Sequence, residues 1–424
     1  MVQSGIAGTL LTLRVRWQIR WSAFFYGRCL VGFPWFWPAR PPGVPVMIAA
    51  RRMARRQFGR DHHPLYRALA QLLAALIWPP AVLLQLCMLR YFGGPQAVPI
   101  KQIPGALWAA LRHNVAPGEY YAYGLWQPDR KVNIDNYLYA REGLRLFKVL
   151  NRPSRPNPID DKLTFHEMCK AHALPSPEIL AAFAPTGKLL AFETGRAPKR
   201  DLFVKPRIGV ASNGAEHFRW HGADFESDRY CRVRHEDLPD YLATRARTEN
   251  RTLLVQPALS NHPKLCAGAN AYLAPARVVT GLSSNGDVVP IFAHIDFFYI
   301  PGINQKPAAP RKALIDVTSG RLMSAPREAD GAKSSNHQLG KDSDEGGVLP
   351  DWDTVLQHTK VAHQACSNFV FLGWDVAFTE HGPMLLEGNV NWTASDYQRL
   401  HGQPLGHTKF ADILAMRLRD LVSA

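Results

Sequence analysis

The sequence predicts an α+β protein whose main domain follows a mainly helical N-terminal region. Three observations carry this expectation. Apolar residues recur at helical spacing before residue 150. Short apolar runs bounded by Gly, Pro and polar clusters fill much of residues 202–317. Residues 372–392, LGWDVAFTEHGPMLLEGNVNW, read as two antiparallel strands, Gly373 to Phe378 and Met384 to Leu386, joined by His381-Gly382-Pro383.

Each strand of that hairpin carries an acid among hydrophobes. Asp375 sits between Trp374 and Val376, and Glu387 closes Met384-Leu385-Leu386, with Asn389 two residues on. Residues two apart in a strand share a face, so Glu387 and Asn389 project together, and hairpin pairing lets Asp375 join them. Two carboxylates and an amide oxygen make a hard-oxygen donor set of the kind that holds Mg²⁺ beside phosphates. The alternative is an ordinary hairpin with its acids on a wet face. Trp374, Phe378, Leu385 and Leu386 make the segment too apolar for a fully exposed edge.

Length and composition bound the rest. A chain of 424 residues accommodates two or three domains, and 46% hydrophobic with 20% charged residues fits a globular protein. The net charge of +15 is unevenly placed: residues 1–60 hold ten arginines and no acid, so residues 61–424 carry only +5. That distribution argues against nucleic-acid binding by the main body. Six widely spaced cysteines with no CxxC pair argue against a disulfide framework or a zinc site and fit a reducing cytoplasm.

Residues 1–60 form a basic arm, and for the stretch before Met47 three readings compete. These are a targeting peptide, a membrane-surface arm built on Trp35, Phe36 and Trp37 among arginines, and a translation start at Met47 or Met53 that would leave the upstream residues non-native. Residues 61–150 form a helical region. Within it Ala68 to Leu89 is free of charge and long enough to span a bilayer, but Gln71, Gln85 and Pro79-Pro80 oppose a single spanning helix. The proline pair predicts two half-helices. They form either a monotopic hairpin dipping into the inner face of the membrane or a buried helix pair. Tyr137, Ala140, Leu144, Phe147 and Leu150 read as a packing face.

The main domain is placed at residues 151–424, after the Pro-rich stretch Asn151 to Pro158. Asp160-Asp161-Lys162 opens a helix, and LFVKP at 202–206 is a strand leading into a loop with Gly209, Ser212, Asn213 and Gly214. That loop could bring backbone N–H groups and Lys205 to phosphate oxygens. TLLVQ at 252–256 runs into Pro257-Ala258-Leu259, and Arg277 to Thr280, Val288 to Phe292 and Ala313 to Val317 read as further strands. Asp316 serves equally as a turn cap or a ligand. Residues 325–350 form a long polar loop with the character of a lid, followed by a helix over Trp352 to Cys366 and a closing one over Phe410 to Leu421.

Taken in order, Asp161-Lys162, Leu202-Phe203-Val204-Lys205-Pro206, Leu254-Val255-Gln256 with Asn261-His262-Pro263, Ala276-Arg277-Val278-Val279-Thr280, Ile315-Asp316-Val317-Thr318-Ser319-Gly320 and the Gly373 to Asn389 hairpin resemble the ATP-grasp proteins. Within them, the chain is most similar to the sugar-transfer-associated group, related to alpha-L-glutamate ligases, over roughly residues 120–424. The resemblance implies ATP enclosed by two α+β subdomains. Lys205 and Lys162 would meet the phosphates, Gln256, Pro257, Ala258 and Leu259 the adenine, and Asp375, Glu387 and Asn389 one or two Mg²⁺. Arg277 would steady the transferring phosphoryl group. It further implies a cytoplasmic ATP- and Mg-dependent ligase with an unidentified acceptor in a polysaccharide or sugar-transfer pathway, against phosphotransfer to a sugar or lipid-linked acceptor or a non-catalytic nucleotide-binding role. Two departures stand out. From Leu253 to Asn285 there is no acid to hold a ribose, leaving Asn261 or Lys264 as substitutes, and GINQKPAAPRKALIDVTSG lacks the Asp-Asn and Gly-Gly form usual before the Asp-x-x-x-Gly turn.

Overall fold

The computed structural model of the protein describes residues 46–47, 50, 63–92, 98–151, 158–193, 195–209, 214–228, 231–265, 273–297, 311–323, 347–392 and 394–423. The described elements begin with helices α1 (Pro64–Phe92), α2 (Ile103–His113), α3 (Pro117–Ala122), α4 (Pro128–Lys131), α5 (Ala140–Leu150) and α6 (Lys162–Ala171). Strands β1 (Ala181–Ala184), β2 (Gly187–Leu190), β3 (Leu202–Pro206), β4 (Glu216–Trp220), β5 (Asp224–Ser227) and β6 (Arg232–Arg234) follow, then α7 (Leu238–Glu249) and β7 (Leu253–Pro257). The remainder comprises β8 (Pro275–Leu282), β9 (Val288–Phe297), β10 (Arg311–Ile315), β11 (Leu322–Met323), α8 (Trp352–Ala365), β12 (Phe371–Thr379), β13 (Gly382–Asn389), α9 (Ala394–His401) and α10 (Lys409–Ser423). These elements fall into two compact units, the helices up to Leu150 with those after residue 393 in one, and the strands with α6, α7 and α8 in the other.

In the helical unit, α1 runs for 29 residues straight through Pro79 and Pro80. The two half-helices expected from the sequence are therefore one helix. Each proline removes an N–H and crowds the preceding turn; packing on both sides of the pair holds the helix through it. Trp78, Val82 and Leu86, at i, i+4 and i+8, are buried in one cluster with Ala106, Ala109, Ala110, Tyr120, Tyr123 and Tyr137. The Trp78 indole N–H donates to the Ala110 carbonyl at 3.1 Å. Tyr123 stacks on both Tyr137 and Tyr139. The last helices belong to this unit through Gln398, wholly buried. Its Oε1 accepts from the Leu138 N–H at 2.8 Å and its Nε2 donates to the Leu138 carbonyl at 2.9 Å. Among the described residues no helix is long and apolar enough to cross a membrane.

The second unit holds two antiparallel sheets, one of seven strands in the order β2-β1-β7-β3-β4-β5-β6 and one of six in the order β11-β10-β9-β8-β12-β13. Each has a helix over one face, as alternation of buried and half-buried residues requires. On the first, Leu238, Leu242 and Ala246 of α7 join Phe183, Leu202, Val204, Phe218 and Val255. On the second, Val355 and Ala362 of α8 join Val278, Ala293, Leu372, Trp374 and Val376. This is an α+β fold of two subdomains preceded by a mainly helical region, as the sequence predicts.

The expected strands appear with shifted ends: β7 covers Leu253–Pro257 and β10 covers Arg311–Ile315. Asp316 acts as a turn cap, its Oδ1 accepting from the N–H groups of Thr318 and Ser319 and from the Ser319 hydroxyl. Most of the expected lid, from residue 325 to 346, lies outside the described residues, as does the basic arm apart from residues 46, 47 and 50.

Candidate active site

The hairpin β12–β13 pairs Asp375 with Glu387 and Gly373 with Asn389, with a bulge after Asp375. Alternation sends Trp374 to the opposite face. There its indole N–H donates to Thr280 Oγ1 at 2.8 Å, Thr280 Oγ1 lies 2.7 Å from His363 Nδ1, and His363 Nε2 lies 3.0 Å from the Phe369 carbonyl. A carbonyl only accepts, so the His363 proton sits on Nε2 and the relay runs from Trp374 through Thr280 and His363 to Phe369. This buried relay fixes the strand's facing, and Asp375 points the other way in consequence. Glycine at 373 is required by close approach: a Cβ there would lie 2.8 Å from the Trp392 Cβ and 3.1 Å from the Arg277 Cδ.

On the exposed side Arg277 of β8 lies directly opposite Asp375. Its Nε donates to Asp375 Oδ1 and its Nη2 to Oδ2 at 3.1 Å. Asn389 Nδ2 lies 3.3 Å from Asp375 Oδ2 and 3.4 Å from Glu387 Oε1, so the three predicted metal ligands converge. Glu387 Oε2 is also 3.5 Å from Lys162 Nζ. Among the described residues no group of three His, Cys, Asp or Glu side chains gathers as a metal site. The donor set is instead two carboxylates and an amide that presents Oδ1 after a half-turn about its last bond, a hard-oxygen set suited to Mg²⁺.

Lys162 lies on α6, whose Phe165 and Cys169 pack in the core of the second sheet, and Lys205 lies on β3 of the first. Asp161 caps α6 by accepting from the N–H groups of Leu163 and Thr164, and this cap sets Lys162 at the first helical position. Lys162 Nζ donates to the Gly209 carbonyl at 2.9 Å. Lys205 on β3 is near enough to Glu387, Asp375 and Lys162 to feel their charges, and burial brings its ammonium down to about 8. Burial likewise raises Asp375 to about 6, with Glu387 adding to the rise and Arg277 opposing it. Burial also pushes Glu387 upward, but Lys162 and Lys205 outweigh it and leave that carboxyl below its ordinary value. The pair thus divides into one held anion and one carboxyl ready to titrate.

Other predicted residues take varied places. Gln256 lies opposite Phe203, which shares a strand face with Lys205, and its amide donates to the Pro177 carbonyl at 3.1 Å. Ala258 N–H is committed to the Asp201 carbonyl at 3.0 Å; Pro257 ends β7 opposite Leu202, and Leu259 follows half-buried. Asn261 is buried and accepts from Ala274 N–H at 2.8 Å, while Lys264 is exposed. The Gly214 carbonyl accepts from Arg245 Nη2 at 2.6 Å. Ser212 and Asn213 lie outside the described residues.

Three residues that sequence reasoning left out extend the site. His294 lies opposite Arg277, and Asp296, two residues on, is opposite Lys312, whose Nζ meets both carboxylate oxygens at 2.8 Å. The sequence signal was a His-x-Asp alternation at the end of an apolar strand, indistinguishable from an ordinary wet face until the register was known.

Two α+β subdomains, with a strand lysine from one meeting an acidic hairpin, a facing arginine and the helix-borne Lys162 packed against the other, define an ATP-grasp protein. Residues 142–409, more than half of the chain, match the family described as sugar-transfer associated ATP-grasp, and the chain belongs to it. Among solved structures it is similar to the D-alanine–D-alanine ligase of Bacillus anthracis, with 13% identity and a TM-score of 0.37 over 63% of this chain and 70% of that one. It is also similar to D-alanyl-alanine synthetase A of Vibrio cholerae, with 12% identity and a TM-score of 0.36 over 63% and 66%. An N5-carboxyaminoimidazole ribonucleotide synthetase in complex with ADP gives 9% identity and 0.33 over 61% and 54%. No curated protein matches the chain in sequence.

Proposed function

We propose that the protein is an ATP- and Mg²⁺-dependent ligase that activates a carboxylate for attack by an amine or other nucleophile, in the cytoplasm and in the service of a polysaccharide or sugar-transfer pathway. The observation that carries this reading is the convergence of Lys162, Glu387, Asp375, Asn389 and Arg277 on one site, with Lys205 in electrostatic reach. Phosphoryl transfer is chiefly positioning and charge neutralisation, and this set of side chains supplies both.

Asp375, Glu387 and Asn389 would hold Mg²⁺, which when bound neutralises phosphate charge. Lys205 and Lys162 bind and orient the phosphates. Arg277 faces the charge that develops as a carboxylate oxygen of the substrate bonds to the terminal phosphorus and the bond to ADP breaks. The second nucleophile then attacks the acyl carbon, losing a proton, and phosphate leaves with the activated oxygen.

Thermal unfolding with and without Mg-ATP, beside Glu387→Gln, tests the site. A ligand at about 100 times its Kd stabilises the native state by about 2.7 kcal/mol, a readable shift. The expected result is a magnesium-dependent shift that shrinks in the variant. A folded wild type with no shift would overturn the reading. Release of ADP and phosphate only when carboxylate and nucleophile are both supplied identifies the ligase; phosphate retained on the product would mark a phosphotransferase instead.

A further inference from the structure

We propose that the outward face of α1 lies in the boundary between headgroups and acyl chains of an anionic membrane leaflet, with the helix axis in the plane of the bilayer. The argument rests on both sides of the helix being apolar. Trp78, Val82 and Leu86 face the core of the helical unit. On the other side Leu65, Leu69, Leu72, Leu76 and Leu83 recur at spacings of three, four and seven, and are between 53% and 76% exposed. Leu73 and Leu84 flank this ridge and are 47% and 40% exposed. A surface helix ordinarily turns polar residues to water, and one that is apolar all round is ordinarily buried on every side. Here one side is buried in protein and no described residue buries the other, which points to an external second apolar medium.

The inward stripe sets the orientation. Trp78, Val82 and Leu86 are claimed by the protein core, so α1 cannot pass into the bilayer without surrendering them. It lies on the membrane surface instead, and the ridge from Leu65 to Leu84 is about 29 Å long at about 1.5 Å per residue.

Charge selects the occupant. The helix contains no acid, Arg67 and Arg90 are its only charged residues, and residues 1–60, joined to it through Asp61-His62-His63, hold ten arginines and no acid. Such a cationic stretch beside an apolar ridge complements anionic lipid headgroups. The ridge itself is leucine-rich, and the exposed Tyr66 and Tyr91 stand near its two ends, where amphipathic rings suit the headgroup level.

Co-sedimentation of the full chain with vesicles of phosphatidylglycerol and phosphatidylcholine, against phosphatidylcholine alone and with no nucleotide present, tests the proposal. The expected result is binding to the anionic vesicles that falls at least tenfold in the triple variant Leu69→Glu, Leu72→Glu, Leu76→Glu. The variant should keep the Mg-ATP thermal shift of the wild type, which separates this proposal from the catalytic one. A second measurement needs no change to the ridge. Cys87 is exposed four residues beyond Leu83, while Cys169 and Cys366 are buried. With Cys29, Cys231 and Cys266 replaced by serine, a polarity-sensitive dye on Cys87 should shift to the blue on anionic vesicles. No vesicle binding by the wild type, equal binding by the triple variant, or binding without a dye shift would each overturn the proposal. So would self-association of the wild type in lipid-free solution that the triple variant abolishes, which would assign the ridge to a second copy of the chain.

Discussion

Arg277 and Asp375 face each other across adjacent antiparallel strands, and the guanidinium meets both carboxylate oxygens of its partner. Their side chains are only 24% and 16% exposed, so each neutralises the other where water reaches poorly. Arg277→Ala leaves Asp375 without its counter-charge, and a loss of about 2–4 kcal/mol in urea unfolding is expected, toward the low end because some solvent screening remains. Arg277→Lys keeps the charge but not the fork, so it should recover part of that stability and little of any turnover.

Lys205 carries a pH prediction. Its ammonium titrates near 8 in the folded protein against an ordinary value near 10.5. A phosphate partner favours the charged form, so Mg-ATP affinity should be pH-independent below about 8 on this account and fall by up to tenfold per pH unit above it. The sign for stability is the reverse. The unfolded chain holds this proton more tightly than the native one, so Lys205 costs stability below pH 8 and that cost is relieved between about 8 and 10.5. Lys205→Met should abolish both dependences, measured by titration calorimetry and by thermal unfolding across that window.

Asp161 gives the opposite sign. Burial raises its carboxyl, but the Arg207 hydrogen bonds and the Thr164 and Leu163 amides outweigh it and leave it depressed. Its contribution is present above the unfolded value and lost as pH falls through the folded one. Asp161→Asn retains a capping oxygen and loses the Arg207 pair, and should cost about 1 kcal/mol at neutral pH. The difference from wild type should close below about pH 4 in acid-unfolding curves.

Gly373→Ala tests the close approach at the hairpin. The added methyl would press on the Trp392 Cβ and the Arg277 Cδ, so it should lower stability by about 1–3 kcal/mol and weaken Mg-ATP binding by moving Arg277. Gly222→Ala, with nothing within 4 Å of its Cβ but a positive φ of +83°, separates packing from backbone strain. It should destabilise through strain alone and leave nucleotide binding unchanged.

Much of the fold and the heart of the candidate site were legible in the sequence, for a local reason. The hairpin register follows from a short turn and from alternation that buries Trp374, so the approach of Asp375, Glu387 and Asn389 needed only strand geometry. What escaped depends on long-range packing. The continuity of α1 through Pro79-Pro80 rests on Trp78 and Val82 meeting residues from Ala106 onward, and local propensity alone argues for a break. The row from Arg277 to His294, Asp296 and Lys312 required knowing which strands are neighbours and in what register. Asn261, a candidate for the ribose from its type and position, is spent on Ala274.

The clamp of Gln398 on Leu138 sets an order of events during synthesis. The helical unit receives its last helices only after every described strand of the second unit has left the ribosome, because α9 and α10 follow β13 in the chain. The second unit is thus a guest carried between two parts of a host, and the guest has all its described strands before the host is complete. Until Gln398 emerges, the Leu138 N–H and carbonyl lack the partner that seals them, so the nascent helical unit stays unfinished while the second unit already has its described strands.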